Sequence, residues 1–239
     1  AQEDTAAPVP VLKLQYFSEG NAMQHLLLRS SLKKGKLLTP QKNKTYEIFM
    51  DSSSSDHSLG KVATNEAGLA KIYLPPALKD KWEASSQHLF IVKEGDEELI
   101  NDFTVTKGRL EIDTSSADGV KSITATVKKY ENNEWVPVPD VEMRIGVKRL
   151  GGILSAGDDP TYTTDSSGTA TVEYKRDSLP GDENGNLILS AKIEDNDLLG
   201  KLQVEKVVTW GKSQKIDHSF FNKRTLWATR TRTPYWLLA

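Results

Sequence analysis

The chain has 239 residues, of which 37% are hydrophobic and 27% are charged, and its formal net charge is −2. These values exclude a disordered chain and a polytopic membrane protein, and the length suits two domains of about a hundred residues each. Cysteine is absent, which excludes disulfides, thiolate zinc sites and cysteine nucleophiles.

The chain opens with a polar lead, residues 1–8, which begins Ala-Gln-Glu-Asp and contains a proline. Such a lead is typical of the mature end that remains after a signal peptide has been removed. A recombinant product trimmed for expression is the alternative. We favour processing and therefore predict an exported protein.

The first predicted domain covers residues 9–104 and consists of short apolar stretches bounded by turn residues. Alternation of apolar and polar residues predicts its main strands at Val11–Phe17, Thr45–Met50, Val62–Leu74 and His88–Val92. The segment His25–Leu32 fits either a strand or a short helix. A helical turn is expected between Pro76 and Trp82.

The second predicted domain covers residues 105–210 and repeats this order. Its predicted strands are Gly108–Ile112, Ser122–Lys129, Val141–Val147, Tyr162–Tyr174, Leu187–Ile193 and Leu202–Val208. Phe103–Gly108 has the polarity of a short linker, with Asp102 and Lys107 expected outside the core. Many short strands without a long amphipathic helix predict an all-β chain of tandem antiparallel β-sandwiches.

One phrase occurs in both domains at a spacing of one hundred residues. It reads Thr-Asp-Ser-Ser-Gly-Thr-Ala-Thr-Val at 164–172 and Thr-Asn-Glu-Ala-Gly-Leu-Ala-Lys-Ile at 64–72. Alternation on both sides of a polar turn predicts a β-hairpin in each domain. Gly68 and Gly168 are predicted to be structural turn residues with positive φ, which a Cβ atom resists.

The repeated phrase resembles the hairpin of bacterial immunoglobulin-like domains, including those of the invasin and intimin type. Transthyretin-like and carboxypeptidase-regulatory-like sandwiches contain similar phrases. The resemblance implies two tandem immunoglobulin-like antiparallel β-sandwiches in an exported protein of the periplasm or cell envelope. Such domains act as spacers, adhesion modules or assembly scaffolds, and the resemblance carries over no catalytic residue.

The sequence contains no recognisable catalytic or cofactor-binding set. His25, His57, His88 and His218 are isolated from one another, and His88 is expected to be a structural histidine. The glycine-rich segment 151–157 is not followed by a helical pattern, so a phosphate-binding loop is not expected there. We therefore predict no catalytic residue, no cofactor and no metal.

Acidic loops are the only candidate metal sites. Asp182, Asn184 and Asn186 alternate and offer the oxygen ligands that Ca²⁺ prefers. The twelve-residue calcium loop is incomplete, however, and solvated turns have the same composition. Calcium binding is therefore not expected.

The C-terminal segment, residues 211–239, differs from both repeats. It carries six basic residues against one acidic residue, a net charge of +5, and it is rich in aromatic residues. Basic residues combined with Tyr and Trp are what a membrane interface selects. The predicted contact residues are Lys223, Arg224, Trp227, Arg230, Arg232, Tyr235 and Trp236.

These patterns favour a non-enzymatic exported scaffold that docks on a membrane-associated assembly or a membrane surface through this segment. Nucleic acid is the less favoured partner of its basic residues, because an exported chain rarely meets it. A second hypothesis is a carbohydrate-binding or adhesion module that uses an exposed indole, such as Trp82 or Trp135. The third is an enzyme whose site has no sequence motif.

Overall fold

The computed structural model describes residues 8–213. They form two compact units. Of the described residues, the larger unit contains residues 8–176 together with Ile188–Lys206, and the smaller unit contains Asp177–Leu187 with residues 207–213.

The first half of the chain forms eight strands, one short α-helix and two single 3₁₀ turns. The strands are β1 (Val9–Glu19), β2 (Met23–Lys34), β3 (Leu37–Pro40), β4 (Thr45–Met50), β5 (Ser58–Ala63), β6 (Leu69–Tyr73), β7 (Gln87–Glu94) and β8 (Glu97–Thr106). The 3₁₀ turns are Ser55–His57 and Pro76–Leu78, and α1 is Lys79–Ala84. The segment 25–32 is therefore strand, and the predicted helical turn is present.

The second half repeats the series without a helix in its described residues. Its strands are β9 (Gly108–Ala117), β10 (Val120–Glu131), β11 (Glu134–Pro137), β12 (Glu142–Arg149), β13 (Gly152–Ser155), β14 (Tyr162–Thr163), β15 (Thr169–Glu173), β16 (Leu187–Ile193) and β17 (Lys201–Val208).

Each half is an antiparallel β-sandwich, so the predicted all-β fold class is confirmed. In the first, β1, β2, β3 and β6 form one sheet and β5-β4-β7-β8 forms the other. In the second, the equivalent sheets are β9, β10, β11 and β15, and β13-β12-β16-β17. The strands that pair within each sandwich are antiparallel.

Strand alternation places one apolar face of every sheet in a core. In the first sandwich, the fully buried side chains include Leu26, Leu28, Ile48, Met50 and Phe90. In the second sandwich, they include Leu110, Ile123, Met143, Ile145 and Leu189. Burial of such side chains contributes about 1.5–3 kcal/mol each relative to exposure.

The repeated phrase is not a hairpin, and that prediction is wrong. In the second sandwich, β14 pairs with β12 whereas β15 pairs with β10 in the opposite sheet. In the first sandwich, β5 pairs with β4 and β6 pairs with β2. The phrase therefore forms a corner that carries the chain from one sheet to the other. Alternating residues face a core on both sides of the turn in either arrangement, so the local pattern does not distinguish them.

The two corners have the same hydrogen bonds. The Asp165 Oδ1 atom accepts the backbone N–H groups of Ser167 at 2.9 Å and Thr169 at 3.0 Å. The Asn65 Oδ1 atom accepts those of Ala67 at 2.9 Å and Leu69 at 3.0 Å. The Asn65 amide oxygen and the Asp165 carboxylate oxygen therefore have the same role, because the turn requires only a hydrogen-bond acceptor at this position.

A glycine in each corner connects it to the neighbouring strand. Gly68 and Gly168 both have a φ of +70°. The Gly68 carbonyl accepts the N–H of Ser30 at 2.8 Å, and the Gly168 carbonyl accepts the N–H of Val127 at 2.8 Å. The close approach that these bonds require leaves little space for a side chain at either glycine.

Asp165→Asn is expected to reduce the acid sensitivity of the second sandwich. A hydrogen bond from the Ser167 side chain and one from the Thr169 backbone lower the pKa of Asp165 to about 2. A lowered folded-state pKa adds stability above the ordinary carboxyl pKa, near 4, and this stability is lost as the pH falls toward 2. The variant keeps the acceptor that Asn65 provides in the other corner.

Thermal melts of the parent and Asp165→Asn between about pH 6 and about pH 2.5 measure this difference. The two proteins are expected to melt alike at neutral pH, and the parent is expected to lose more stability in acid. Equal acid sensitivity would show that the Asp165 charge does not contribute.

The smaller unit contains a third copy of this corner, at the segment whose composition resembles an incomplete calcium loop. The Asp182 Oδ1 atom accepts the N–H groups of Asn184 and Asn186, both at 2.8 Å, and Gly185 has a φ of +76°. The Gly185 carbonyl accepts the N–H of Gly211 at 2.9 Å. These bonds lower the pKa of Asp182 and occupy the carboxylate within its own turn.

The two sandwiches share one sheet through a parallel pairing of β1 with β17. Its partners are Phe17 with Lys201, Ser18 with Leu202 and Glu19 with Gln203. Asn21 adds a second connection, since its side chain donates to the Leu110 carbonyl at 2.7 Å and accepts the Leu110 N–H at 3.0 Å. The halves are therefore joined by backbone pairing as well as by the chain.

The predicted linker Phe103–Gly108 is wrong. Strand β8 continues to Thr106 and β9 begins at Gly108, so Lys107 alone lies between them. Lys107 is 6% exposed, although it was expected outside the core. Its N–H donates to the Ser86 carbonyl and its own carbonyl accepts the N–H of Tyr130, both at 2.8 Å.

The domain boundary between residues 104 and 105 stays a prediction, and fragments provide its test. Fragments 1–106 and 107–211 are each expected to give dispersed amide spectra, because each half contains its own core. Each is expected to melt at a lower temperature than the full chain, since the β1–β17 pairing is lost. Two unfolded fragments that fold only when mixed would indicate one intertwined domain.

Candidate interaction surfaces

Trp82 is a core residue, so the prediction that it offers an exposed indole is wrong. It is 2% exposed. Its ring stacks on Tyr16 with centroids 5.5 Å apart and on His88 with centroids 4.4 Å apart. Helix α1 carries this indole into the first sandwich, where it fills the core and leaves no face for a ligand.

His88 has a structural environment, in line with its predicted role. It is fully buried. Its Nδ1 atom lies 2.8 Å from the Asp51 Oδ2 atom, and its Nε2 atom lies 3.0 Å from the Trp82 carbonyl oxygen. Both ring nitrogens therefore have partners, and the histidine ties α1 to β7 and to the end of β4.

The junction contains a buried cation among aromatic rings. The Lys107 Nζ atom lies 2.7 Å from the Glu83 Oε2 atom and 4.3 Å from the centroid of the Tyr130 ring. Trp135 is 38% exposed, and its ring centroid lies 5.9 Å from the Arg109 guanidinium. A cavity of about 280 Å³ lies beside these residues, with Glu83, Arg109 and Trp135 in its lining. An indole, a carboxylate and a guanidinium can together contact a polar ring.

Five basic residues lie on the outer face of the sheet that the two sandwiches share, four of them on the first sandwich and the fifth, Lys201, on β17. They lie close together because β1, β2, β6 and β17 are adjacent in the sheet. They face outward because inward residues that alternate with them along these strands are buried. We call this surface the basic face, and its cations are Lys13, Arg29, Lys33, Lys71 and Lys201.

Aromatic rings lie between these cations. Phe17, His25 and Tyr73 form one row across the sheet, with Phe17 and His25 stacked at 4.8 Å. The Lys201 Nζ atom lies 5.3 Å from the Phe17 ring centroid, and the Lys71 Nζ atom lies 4.7 Å from that of Tyr73. The row is therefore flanked by a cation at each end.

His25 lies within this row and is 5% exposed. Its Nδ1 atom has no hydrogen-bond partner among the described residues, since the Glu19 carboxylate is 4.0 Å away. Burial lowers the pKa of His25, and the charge of Lys71 lowers it further, against the opposite effect of Glu19. The pKa of the ring is therefore held below its ordinary value at the centre of the basic face.

The cations of the basic face have no carboxylate partner among the described residues. Elsewhere in the described chain, thirteen Lys and Arg residues form ion pairs with Asp or Glu. This surface is not apparent from the sequence, because its residues come from four separated strands. Lys13 and Phe17, four residues apart on the outward side of β1, are a local sign of it.

The seven predicted contact residues of the C-terminal segment lie outside the described residues. They are Lys223, Arg224, Trp227, Arg230, Arg232, Tyr235 and Trp236. Within residues 8–213, no helix has the length and apolar composition needed to cross a membrane. In that same range no group of three or more acidic or histidine side chains is arranged to hold a metal.

No protein-family model matches the chain, and no curated protein matches it by sequence. The chain is similar to the solved structure of the D0–D1 domain of intimin, with 21% identity and a TM-score of 0.30, over 82% of this chain and 98% of that chain. It is also similar to a tetra-tandem repeat in the extending region of a large adhesion protein, with 11% identity and a TM-score of 0.28.

That second alignment covers 84% of this chain and 49% of the adhesion protein chain. A β-glucuronidase of Parabacteroides merdae has 12% identity and a TM-score of 0.26, over 85% of this chain and 25% of the enzyme chain. This chain therefore spans about half of the adhesion protein structure and a quarter of the enzyme. Likenesses of this strength give no information about an activity or a partner.

Proposed function

We propose that the protein is a non-enzymatic exported scaffold that docks on a membrane-associated assembly through its C-terminal segment. The observation that carries the proposal is the charge distribution of the chain. Residues 211–239 carry +5 and a cluster of aromatic residues, whereas the whole chain carries −2. A basic, aromatic segment on an otherwise acidic protein suits an anionic membrane or a protein embedded in one.

The described residues support a scaffold in two ways. The β1–β17 pairing and the Asn21 side chain join the two sandwiches by hydrogen bonds. His88 and Asp182 are side chains of the kind that take part in catalysis or metal binding, and both have structural partners. Both ring nitrogens of His88 are hydrogen-bonded, and the Asp182 carboxylate accepts hydrogen bonds within its own turn. A protein of this kind holds its partners in defined positions and does not catalyse a reaction on them.

A pull-down from native membranes tests the docking role. The full chain and a chain that ends at Gly211 are immobilised at equal density and exposed to the same detergent extract. The full chain is expected to retain a membrane protein that the shortened chain does not. Retention of the same proteins by both chains would contradict docking through residues 212–239.

Carbohydrate binding beside Trp135 is the second candidate function. It is favoured by the half-exposed indole and by the cavity shared with Glu83 and Arg109. A sugar that stacks on Trp135 is expected to change tryptophan fluorescence in the parent and not in Trp135→Ala. A panel of oligosaccharides that leaves the parent spectrum unchanged would remove this candidate.

A further inference from the structure

We propose that the basic face is itself a docking surface for an anionic phospholipid bilayer. The proposal concerns residues 9–73 and 201, and it does not depend on the C-terminal segment. Its cations are the five defined above, and its aromatic row is Phe17, His25 and Tyr73.

The cations of the basic face form no ion pair among the described residues, although three aspartates line a cavity together with Lys13 and Lys201. Lys13 and Arg29 are direct cross-strand partners, and Lys71 is on the neighbouring strand, one row away. Like charges directly opposite each other on adjacent strands destabilise a sheet. No carboxylate among the described residues pairs with these cations, although ion pairs are formed on the other surfaces. An external anionic surface relieves this repulsion and provides the missing charge.

Exposed apolar side chains lie at one end of the same face. Val9 is 59% exposed, Val11 is 40% exposed and Leu38 is 58% exposed. The register places Val9 opposite Lys33, which in turn pairs with Leu38. These apolar side chains therefore lie in the rows that continue the basic face. Tyr73, at the other end, is 49% exposed.

This combination favours a bilayer over a soluble polyanion. A soluble polyanion engages the cations and leaves Val9, Val11 and Leu38 in water. The interface of a bilayer accepts all three kinds of side chain, because phosphates meet the cations, tyrosine remains at the headgroup level and aliphatic groups enter the acyl boundary. The occupant that satisfies the whole face is therefore an anionic phospholipid surface.

Vesicle flotation of the full chain tests the proposal. The vesicles contain phosphatidylcholine with about 30% phosphatidylglycerol, and neutral phosphatidylcholine vesicles serve as the reference. The double variant Lys13→Glu/Arg29→Glu is expected to reduce the partition coefficient on anionic vesicles by about tenfold or more, since four units of charge change at the surface. Lys13→Gln/Arg29→Gln is expected to give an intermediate loss.

Lys61→Glu/Lys79→Glu is the matched control, because it makes the same change in net charge at exposed residues outside the basic face. It is expected to float nearly as well as the parent. All variants are first compared by thermal melting, and only those that melt like the parent are used. Equal flotation of the two glutamate variants would overturn the proposal, because the effect would then reflect net charge alone.

A site-specific probe provides an independent readout. The chain contains no cysteine, so Val11→Cys and Lys79→Cys each accept one environment-sensitive fluorophore. The probe at residue 11 is expected to shift to the blue on anionic vesicles, whereas the probe at residue 79 is not. An unshifted probe at residue 11 on vesicles that bind the protein would contradict the proposal.

Two further outcomes separate this proposal from its rivals. Binding of the basic face to a sulfated polysaccharide, with no shift of the residue 11 probe on vesicles, would replace the bilayer by a soluble polyanion. A chain that ends at Gly211 distinguishes the two docking elements. If it keeps its sensitivity to Lys13→Glu/Arg29→Glu, the basic face acts whether or not the C-terminal segment docks.

Discussion

Trp82→Ala is expected to lower the free energy of unfolding of the first sandwich by about 3–5 kcal/mol. The indole is 2% exposed and stacks on Tyr16 and His88. Its removal leaves a cavity between α1 and the sheets, because the neighbouring strands are held in register by their own hydrogen bonds. Urea denaturation followed by far-ultraviolet circular dichroism measures the loss.

Trp135→Ala is the matched control for this prediction. Trp135 is 38% exposed and contacts the side chains of Lys107, Arg109 and Tyr130. Its removal is expected to cost about 1 kcal/mol or less, since no large cavity forms at a half-exposed site. Equal losses from both variants would contradict the assignment of Trp82 to the core and of Trp135 to the surface.

Gly168→Ala is expected to destabilise the second sandwich by about 2–4 kcal/mol. Two effects combine at this corner. The φ of +70° disfavours any residue with a Cβ, and that Cβ would lie 2.7 Å from the Val127 carbonyl oxygen and 2.8 Å from the Pro137 Cβ. The Val127 carbonyl oxygen cannot move away freely, because it accepts the N–H of Val138 at 3.0 Å and the N–H of Val127 donates to the Gly168 carbonyl at 2.8 Å. Calorimetry of the full chain measures the change.

Gly119→Ala separates the two effects. Gly119 has a φ of +80°, and a Cβ there would meet no atom within 4 Å. Gly119→Ala is therefore expected to lower the free energy of unfolding only by the cost of the positive φ, roughly 1–2 kcal/mol. Gly68→Ala should resemble Gly168→Ala, because Pro40 and Gln41 crowd it in the same way. If all three variants melted alike, steric crowding would not be what requires glycine at the corners.

The fold class and the repeat were predictable because both depend on local patterns. Alternation at Ile123, Ala125 and Val127 identifies a strand with one buried face, and the structure buries all three completely. The partner of each strand was not predictable from such a pattern. Tyr162–Thr163 and Thr169–Glu173 look like a hairpin, but they pair with β12 and β10 in opposite sheets. Pairing is decided by contacts between residues far apart in the sequence.

The same reason explains the errors at the junction. Lys107 appears in the sequence as a polar residue between two strands, which is typical of a linker. Its burial depends on Glu83 and Tyr130, each more than twenty residues away. The exposure of Trp82 and Trp135 was likewise undetermined by their neighbours, because an indole beside charged residues occurs in cores and on surfaces alike.

The candidate surfaces differ in how far sequence could identify them. The basic C-terminal segment is continuous, so composition alone nominates it. The basic face is assembled from four strands, and its character follows from the pairing of Lys13 with Arg29 and of Phe17 with Lys201. Without the register, these cations are indistinguishable from the ion-paired lysines on other surfaces.

Flotation with anionic vesicles, comparing the full chain with a chain that ends at Gly211, tests the central claim of membrane docking most directly. The full chain is expected to float with anionic vesicles and to be released as salt rises to about 500 mM, because screening weakens contacts of exposed charges. The shortened chain is expected to bind several-fold more weakly and to retain only the contribution of the basic face. Equal recovery of the two chains would contradict docking of the C-terminal segment on an anionic lipid surface.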